Sequence, residues 1–187
     1  MKKSNYIVAF ALFVFFFATS LFQAQAKYID KSGELVFEAS EELFEPVKAT
    51  NKSVTVILNT ETNDIASLAL IKGFRFKNSL MEEHFNENYI ESETYPKATF
   101  KGKLLDFNFS DLSENMIDVI VDGKLKLHGK EKQIRTTLKV KKSGDSIIIQ
   151  GLFKVTPDDF DIKIPNVVKN KIAKEIKVHL DFKLIQK

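Results

Sequence analysis

The sequence predicts a mainly β protein: eight antiparallel strands that form a barrel or a sandwich, with one short helix inserted near residues 78–90. Three observations support this prediction: eight runs of alternating apolar and polar residues, short connections between them, and one segment of helical periodicity. The chain has 187 residues, no cysteine, seven glycines and four prolines, an ordinary composition for one globular domain. The absence of cysteine excludes disulfides, thiolate zinc sites and cysteine nucleophiles.

The clearest strand is the last one, because its alternation is strict. The apolar residues are Ile176, Val178, Leu180, Phe182 and Leu184, and the polar residues between them are Lys177, His179, Asp181 and Lys183. Successive side chains of a strand point to opposite faces, so the first set is predicted to face the core and the second to face water.

The seven preceding strands are predicted from the same period of two. In chain order they are Glu34–Ala39, Ser53–Leu58, Ile65–Ile71 continuing toward Phe76, Ala98–Phe107, Met116–Leu127, Gln133–Lys141 and Ser146–Val155. Turn residues predict hairpins at His128-Gly129-Lys130 and at Lys142-Ser143-Gly144-Asp145. Short connections of this kind are typical of an antiparallel barrel or sandwich.

One segment, Asn78–Ile90, departs from the strand pattern. Its apolar residues recur at helical spacing, and Ser79 followed by Glu82 is typical of a capping box at a helix N-terminus. A second short helical piece is predicted to start at Pro165, which suits a first helical turn. The pattern of Ser40–Asn51 fits either a helical turn or an irregular loop.

The first 26 residues are predicted to be a secretory signal peptide, which leaves residues 27–187 as the single domain. Lys2 and Lys3 form a positive start, Ile7–Leu21 is almost wholly apolar, and Ala24-Gln25-Ala26 is a small-x-small cleavage site. The alternative is an uncleaved membrane anchor, because the apolar run approaches the shortest spanning length. Cleavage after Ala26 predicts a periplasmic or secreted protein that is not integral to the membrane.

The predicted mature chain is nearly neutral. Loss of the two leader lysines leaves 26 basic against 25 acidic residues, a formal charge of +1 with histidines neutral. Such a chain offers little attraction for a phosphate backbone, so nucleic acid is not an expected partner. The sequence does not indicate an oligomeric state.

No catalytic, metal or cofactor motif is recognised in the sequence. It lacks a GxSxG elbow, a GxGxxG or phosphate loop, an HExxH pair and a calcium loop. His84 has several glutamates nearby, but a polar residue on a helix face is a better explanation than a metal ligand. His128, before Gly129, suits a structural hydrogen bond at a turn, and His179 is expected to be solvated. No catalytic residue, metal or cofactor is therefore predicted.

Several motifs resemble those of the YceI-like family of secreted bacterial proteins, and they occur in the family's order. The motifs are Leu80–Phe85, Tyr95–Gly102, Asp122–Gly129, Phe153–Val155 with Asp159–Ile162, and a fainter match at Tyr28-Ile29-Asp30. Each motif is weak alone, whereas their order and spacing together are specific. Two departures are Met81-Glu82, where the family has Arg-Asp before the helix histidine, and a region Gly33–Asn59 that looks shortened.

The resemblance implies an extended eight-stranded antiparallel β-barrel, lipocalin-like and periplasmic, that holds a long apolar chain such as a polyisoprenoid or a quinone tail. It implies no enzyme. Joined to the phenylalanine-rich strands and the apolar stripe of the helix, it places the lipid-binding tunnel along a set of inward side chains. That set is Phe76, Met81, Phe85, Phe100 and Phe182. Glu83 and His84 are then expected at the tunnel mouth.

Two alternatives stay open. An eight-stranded barrel is just wide enough to be filled by its own side chains or to hold one small ligand. The shortened region Gly33–Asn59 favours a filled barrel that serves as a structural or interaction domain without a ligand. An enzyme or metal-dependent protein that uses His84 and its glutamates is the least favoured hypothesis, because no nucleophile–base set accompanies the histidine.

Overall fold

The computed structural model describes residues 27–40 and 46–187. The predicted signal peptide lies outside these residues. The described residues form nine strands in one antiparallel sheet, whose order is β1-β9-β8-β7-β6-β5-β3-β2-β4. Because β1 also pairs with β2, eight of the strands close into a barrel, and the two-residue β4 attaches to the edge of β2. The predicted eight-stranded antiparallel barrel with one short helix is confirmed.

The strand bounds are β1 Lys27–Ser40, β2 Lys48–Asn59, β3 Asp64–Leu70, β4 Arg75–Phe76, β5 Lys97–Leu105, β6 Ile117–Leu127, β7 Lys130–Ser143, β8 Ser146–Val155 and β9 Ile172–Gln186. Each predicted strand is present, although β1, β2, β7 and β9 are longer than predicted, and a 3-10 turn at Ile71–Gly73 interrupts the predicted continuation of the third strand toward Phe76. The helix α1 spans Ser79–His84, and a π-helical turn follows at Phe85–Tyr89. Short 3-10 turns lie at Ile71–Gly73, Phe109–Asp111 and Pro157–Phe160.

Both predicted hairpins are confirmed. Leu127 pairs with Lys130, and His128 and Gly129 between them take positive φ angles of 48° and 75°. Ser143 pairs with Ser146 around Gly144, whose φ is 57°. Two-residue turns with positive φ match the right-handed twist of the paired strands, which explains why these positions hold glycine and a residue that tolerates the left-handed region.

The N-terminal region is more regular than the sequence analysis expected. Gly33–Asn59 contributes to two long strands, β1 and β2, that pair with each other and close the barrel. For Ser40–Asn51, both the helical turn and the irregular loop are wrong at Ser40, which ends β1, and at Lys48–Asn51, which begin β2. Residues 41–45 lie outside the described part of the chain. Strand β1 starts earlier than predicted because a bulge around Asp30–Gly33 interrupts its alternation.

The helix begins one residue earlier than the predicted capping box. The N-cap is Asn78, whose side chain accepts hydrogen bonds from the amides of Leu80 and Met81. Glu82 does not cap Ser79, because its carboxylate accepts from the Phe76 amide at 3.0 Å and pairs with Arg75 at 2.7 Å. Glu82 thereby ties the helix to β4.

The second predicted helix, at Pro165, is absent from the described residues. Two successive turns stand there instead, closed by hydrogen bonds from the Val168 amide to the Pro165 carbonyl and from the Lys171 amide to the Val168 carbonyl. They belong to the connection from β8 to β9, residues 156–171, which we call the strap.

One half of the barrel is filled by side chains. Inward residues from all eight barrel strands form a single buried cluster, among them Tyr28, Val54, Val56, Leu58, Ile65, Leu104, Val119, Val121, Leu138, Val140, Ile147, Ile149, Phe182 and Leu184. The connection from β5 to β6 closes this end with Phe107 and Leu112. Burial of such aliphatic side chains contributes about 1.5–3 kcal/mol each, so this half supplies much of the stability.

The predicted two-faced character of the last strand is confirmed. Phe182 and Leu184 are buried, Ile176, Val178 and Leu180 are half-buried, and Lys177, His179, Asp181 and Lys183 are exposed. Ile176 and Val178 lie toward the other half of the barrel, where the interior is not filled, whereas Leu180 packs against the buried cluster.

Candidate functional site

The second half of the barrel encloses an apolar cavity of about 450 Å³. The strands that supply its walls are β1, β4, β5, β6, β8 and β9. Strand residues include Leu35, Phe37, Ala98, Leu125, Leu127, Phe153, Val155, Ile176 and Val178. The helical segment adds Met81, His84, Phe85, Tyr89 and Ile90, and the strap with the start of β9 adds Pro157, Phe160, Ile162, Ile164, Val168, Lys171 and Ile172. The volume lies within the range of small-ligand pockets.

Phe100 marks the boundary between the cavity and the packed half. Strand β5 places Ala98 against the cavity and Leu104 in the buried cluster, with Phe100 between them. The Phe100 ring lies over the directly paired Gly102 and Gly123, and a Cβ on Gly123 would come within 2.6 Å of its Cζ. The same Cβ would lie closer still to the Gly102 Cα, so the close approach of the two backbones, together with the ring, requires glycine at both positions.

Four phenylalanine rings join the helical segment to the barrel wall. Phe85 lies 5.3 Å from Phe37, 6.0 Å from Phe74 and 5.1 Å from Phe76, measured between ring centroids. Aromatic pairs with tilted and edge-on geometry add stabilisation beyond that of the apolar area that they bury. The π-helical turn begins at Phe85 and is closed by the hydrogen bond from the Ile90 amide to the Phe85 carbonyl.

The strap is the second element that covers the cavity. Ile162, Ile164 and Val168 line the cavity, whereas Lys163 and Lys169 point to solvent. Ile162 and Phe160 belong to a small buried cluster with Ile71 and Ile90, which connects the strap to the helical segment. The two elements together therefore cover the cavity end of the barrel.

His128 fastens the strap to the β6–β7 hairpin. Its Nδ1 donates to the Phe160 carbonyl at 2.8 Å, which requires the proton on Nδ1, and its ring contacts Tyr95 at 4.4 Å between centroids. Its Nε2 lies 3.5 Å from the Glu91 carboxylate, within ion-pair distance but without a hydrogen bond. The structural hydrogen-bonding role predicted for His128 is confirmed.

Two ion pairs reinforce the same attachment. Lys130 pairs with Asp161 at 2.7 Å, and Lys132 pairs with Asp159 at 3.1 Å. The hydrogen bond from Lys130 holds the pKa of the Asp161 carboxyl below its ordinary value, and the same bond raises the pKa of Lys130. Asp161 and Asp159 thus hold the strap to β7.

The polar groups of the cavity lining are few and lie on its covering elements. His84 on α1 and Lys171 at the end of the strap are both exposed and both border the cavity. Hydrogen-bond donors of this kind can bind a neutral or an anionic head group. Lys171 was missed in the sequence analysis because nothing distinguishes it from its neighbouring lysines.

The structure brings together some of the sequence-predicted site residues and separates others. Phe76, Met81, Phe85 and His84 border the cavity. Phe182 lies in the packed half, where it is 4% exposed, and Phe100 packs against the same buried cluster. Glu83 is exposed and is not part of the lining. The tunnel is therefore shorter than the predicted set implied, and contact of these residues with a ligand stays a prediction.

Two further findings concern the residues described by the structure. Among them, no group of three or more histidine, aspartate or glutamate side chains is placed to hold a metal ion. Within residues 27–40 and 46–187, no helix is long and apolar enough to cross a membrane.

The fold and the cavity define the class: an antiparallel barrel that is packed at one end and holds an apolar cavity at the other. The chain belongs to the YceI-like domain family, whose model matches residues 20–184. The family resemblance found in the sequence motifs is confirmed. No curated protein compared with the chain matches it.

Solved structures with the same fold include three bacterial proteins. A polyisoprenoid binding domain from Saccharophagus degradans, implicated in plant cell wall breakdown, has a TM-score of 0.74 and 16% identity, covering 87% of this chain and 99% of that one. BcnA from Burkholderia cenocepacia has a TM-score of 0.65 and 16% identity, covering 80% and 95%. A YCEI protein from Campylobacter jejuni has a TM-score of 0.61 and 16% identity, covering 77% and 87%. At these identities the likeness establishes the fold.

Proposed function

We propose that this protein is an exported binding protein that holds a long-chain apolar ligand, a polyisoprenoid, quinone tail or similar lipid, in the cavity half of its barrel. The observation that carries the proposal is the apolar cavity of about 450 Å³. Family membership and the fold shared with a polyisoprenoid binding domain add support. The proposed site of action is the periplasm or the extracellular space, and no catalytic step is proposed.

The energetics favour a lipid chain over a polar ligand. Each methylene moved from water into an apolar cavity contributes about 0.8 kcal/mol, although ordering the chain offsets part of that gain. The half-filled interior limits how much of a chain the barrel can take. We therefore propose that one end of the ligand is enclosed, while His84 and Lys171 contact the part that emerges.

Extraction of the purified mature protein tests the proposal directly. Organic extraction followed by mass spectrometry should yield a prenyl or other long-chain lipid, and the delipidated protein should bind an added polyprenol or quinone. A folded protein that yields no lipid and binds neither probe would exclude the carrier function. The cavity would then belong to a structural or interaction domain without a ligand.

A charge placed in the cavity tests the assignment of the site. Phe85→Asp should abolish lipid co-purification, because an unpaired carboxylate in an apolar cavity is strongly disfavoured. Asn88→Asp is the matched control, since Asn88 is exposed on the same π-helical turn and gains the same charge. Circular dichroism must show both variants folded. Lipid retained at wild-type levels by a folded Phe85→Asp protein would place the ligand elsewhere.

A further inference from the structure

The outer side of the strap and the start of β9 carry a local cluster of positive charge. Between Ile162 and Lys174 there are four lysines and no acidic residue. All four lysines are exposed: Lys163, Lys169, Lys171 and Lys174. Among the described residues, none of them forms an ion pair. We call this surface the lysine patch.

Three acidic residues that flank the lysine patch in the sequence are paired with lysines of other strands. Asp161 pairs with Lys130 at 2.7 Å, and Asp159 pairs with Lys132 at 3.1 Å. Glu175 pairs with Lys154 at 2.8 Å. These three carboxylates therefore have partners other than the four lysines of the patch. Since residues 27–187 carry a formal charge of +1, the excess of lysine over Ile162–Lys174 is a local feature and not a property of the whole molecule.

An exposed apolar side chain stands within the lysine patch. Val167 is 82% exposed, more than any other large apolar side chain that the structure describes. A single exposed valine is unremarkable alone, but an apolar residue surrounded by lysines is typical of segments that lie in a membrane interface. Lysines near an anionic lipid surface attract it over about one Debye length.

The inner side of the same segment lines the cavity. Ile164, Val168 and Ile172 face the proposed ligand, while Lys163, Val167 and Lys169 face outward. A surface bound to the patch would therefore lie against the element that covers the cavity. An apolar chain has to leave a bilayer to enter such a cavity, because it is insoluble in water.

We propose that the lysine patch docks the barrel on an anionic lipid bilayer, with Val167 inserted at the head-group level, and that the ligand is exchanged there. The exchange step rests on the proposed lipid-binding function, whereas the docking step stands on the charge and exposure of the patch. A zwitterionic surface would offer the lysines no net attraction, so docking is expected to require anionic lipid.

Sedimentation with vesicles measures docking without any added ligand. The delipidated protein should bind vesicles that contain phosphatidylglycerol, should bind pure phosphatidylcholine vesicles far less, and should dissociate as salt is raised. Substitution of Lys163, Lys169 and Lys174 by Gln should weaken binding on the order of a hundredfold, since each lysine contributes about fivefold. Val167→Ser should weaken it several-fold.

Matched controls come from the packed half of the barrel. Substitution of Lys31, Lys142 and Lys183 by Gln removes the same charge from exposed lysines beside that half and should leave vesicle binding nearly unchanged. Ile185, 59% exposed next to the buried Leu184, supplies the control Ile185→Ser. Equal losses in the patch and control triples would overturn the proposal, because they would show a response to net charge alone.

Other outcomes are equally decisive. Equal binding to both kinds of vesicle, or binding to neither, would overturn docking, and the second would favour an acidic protein as the partner of the patch. If the triple variant does not fold, the single Lys169→Gln variant is expected to lose about fivefold. Polyprenol binding in detergent solution separates the two proposals. If the wild-type protein binds no polyprenol there, the proposed lipid-binding function is contradicted, while vesicle binding still tests docking.

Discussion

At the scale of single residues, Phe182 and His179 show how the two faces of one strand differ in their contribution to folding stability. Phe182 is 4% exposed and its ring fills the space above Gly33, where a Cβ would come within 2.6 Å of the ring. His179, three residues earlier, is exposed on the outer face. Their substitution is therefore expected to have very different consequences for folding.

Phe182→Ala should lower the free energy of unfolding by about 3–5 kcal/mol, because it removes buried apolar area and leaves a cavity in the packed half. His179→Ala should change it by less than about 0.5 kcal/mol. Urea denaturation of both variants followed by circular dichroism measures the difference. Comparable effects from the two substitutions would mean that the strand faces are assigned wrongly.

At the scale of elements, the ion pair between Lys130 and Asp161 links a hairpin to the strap. The pKa of Asp161 is lowered in the folded protein, chiefly by its hydrogen bond with Lys130, so folding favours the ionised carboxyl. The pair therefore stabilises the protein above the ordinary pKa of aspartate, and the stabilisation is lost as pH falls through the lowered value. Because both groups are exposed, the effect is small compared with any core substitution.

Asp161→Asn should reduce stability slightly near neutral pH and should make no difference in acid below the lowered pKa of Asp161. Asparagine tolerates the left-handed conformation of this position, whose φ is 55°, so the backbone is preserved. Asp158→Asn, at an exposed residue without an ion pair among those described, is the control and should show no pH-dependent difference. A loss that persists in acid would point to the backbone instead of the charge.

The elements also show which parts of the fold the sequence could predict. Strands with one solvent-exposed face and one buried face have a period of two, so all eight barrel strands were predictable from the alternation of polar and apolar residues. The N-cap was predicted at Ser79 but lies at Asn78, because Glu82 bonds to Arg75 and to the Phe76 amide. These partners are set by tertiary packing. The strap has no periodicity, so its course over the cavity could not be predicted.

At the scale of the whole molecule, the barrel is neither hollow nor filled. The apolar residues of the interior could be predicted from the sequence. Whether each of them lies in the packed core or lines the cavity depends on where each strand crosses the barrel. Phe182 and Phe85 look alike in sequence, yet one lies in the buried cluster and the other borders the cavity. The paired Gly102 and Gly123, which admit the Phe100 ring, place the boundary between the two halves.

The position of Phe100 gives a prediction about ligand length. Phe100→Ala should open the cavity toward Leu104, at a cost of about 3 kcal/mol in stability, and should shift binding toward longer prenyl chains. Competition between polyprenols of different length, measured on the delipidated protein, tests this. Leu104→Ala is the matched control, because Leu104 is 1% exposed and its truncation leaves a void behind the Phe100 ring. That variant should lose comparable stability with no change in chain-length preference. If Phe100→Ala folds and keeps the wild-type preference, the Phe100 ring is not what limits the ligand, and the end of the cavity must be set by the packed half as a whole.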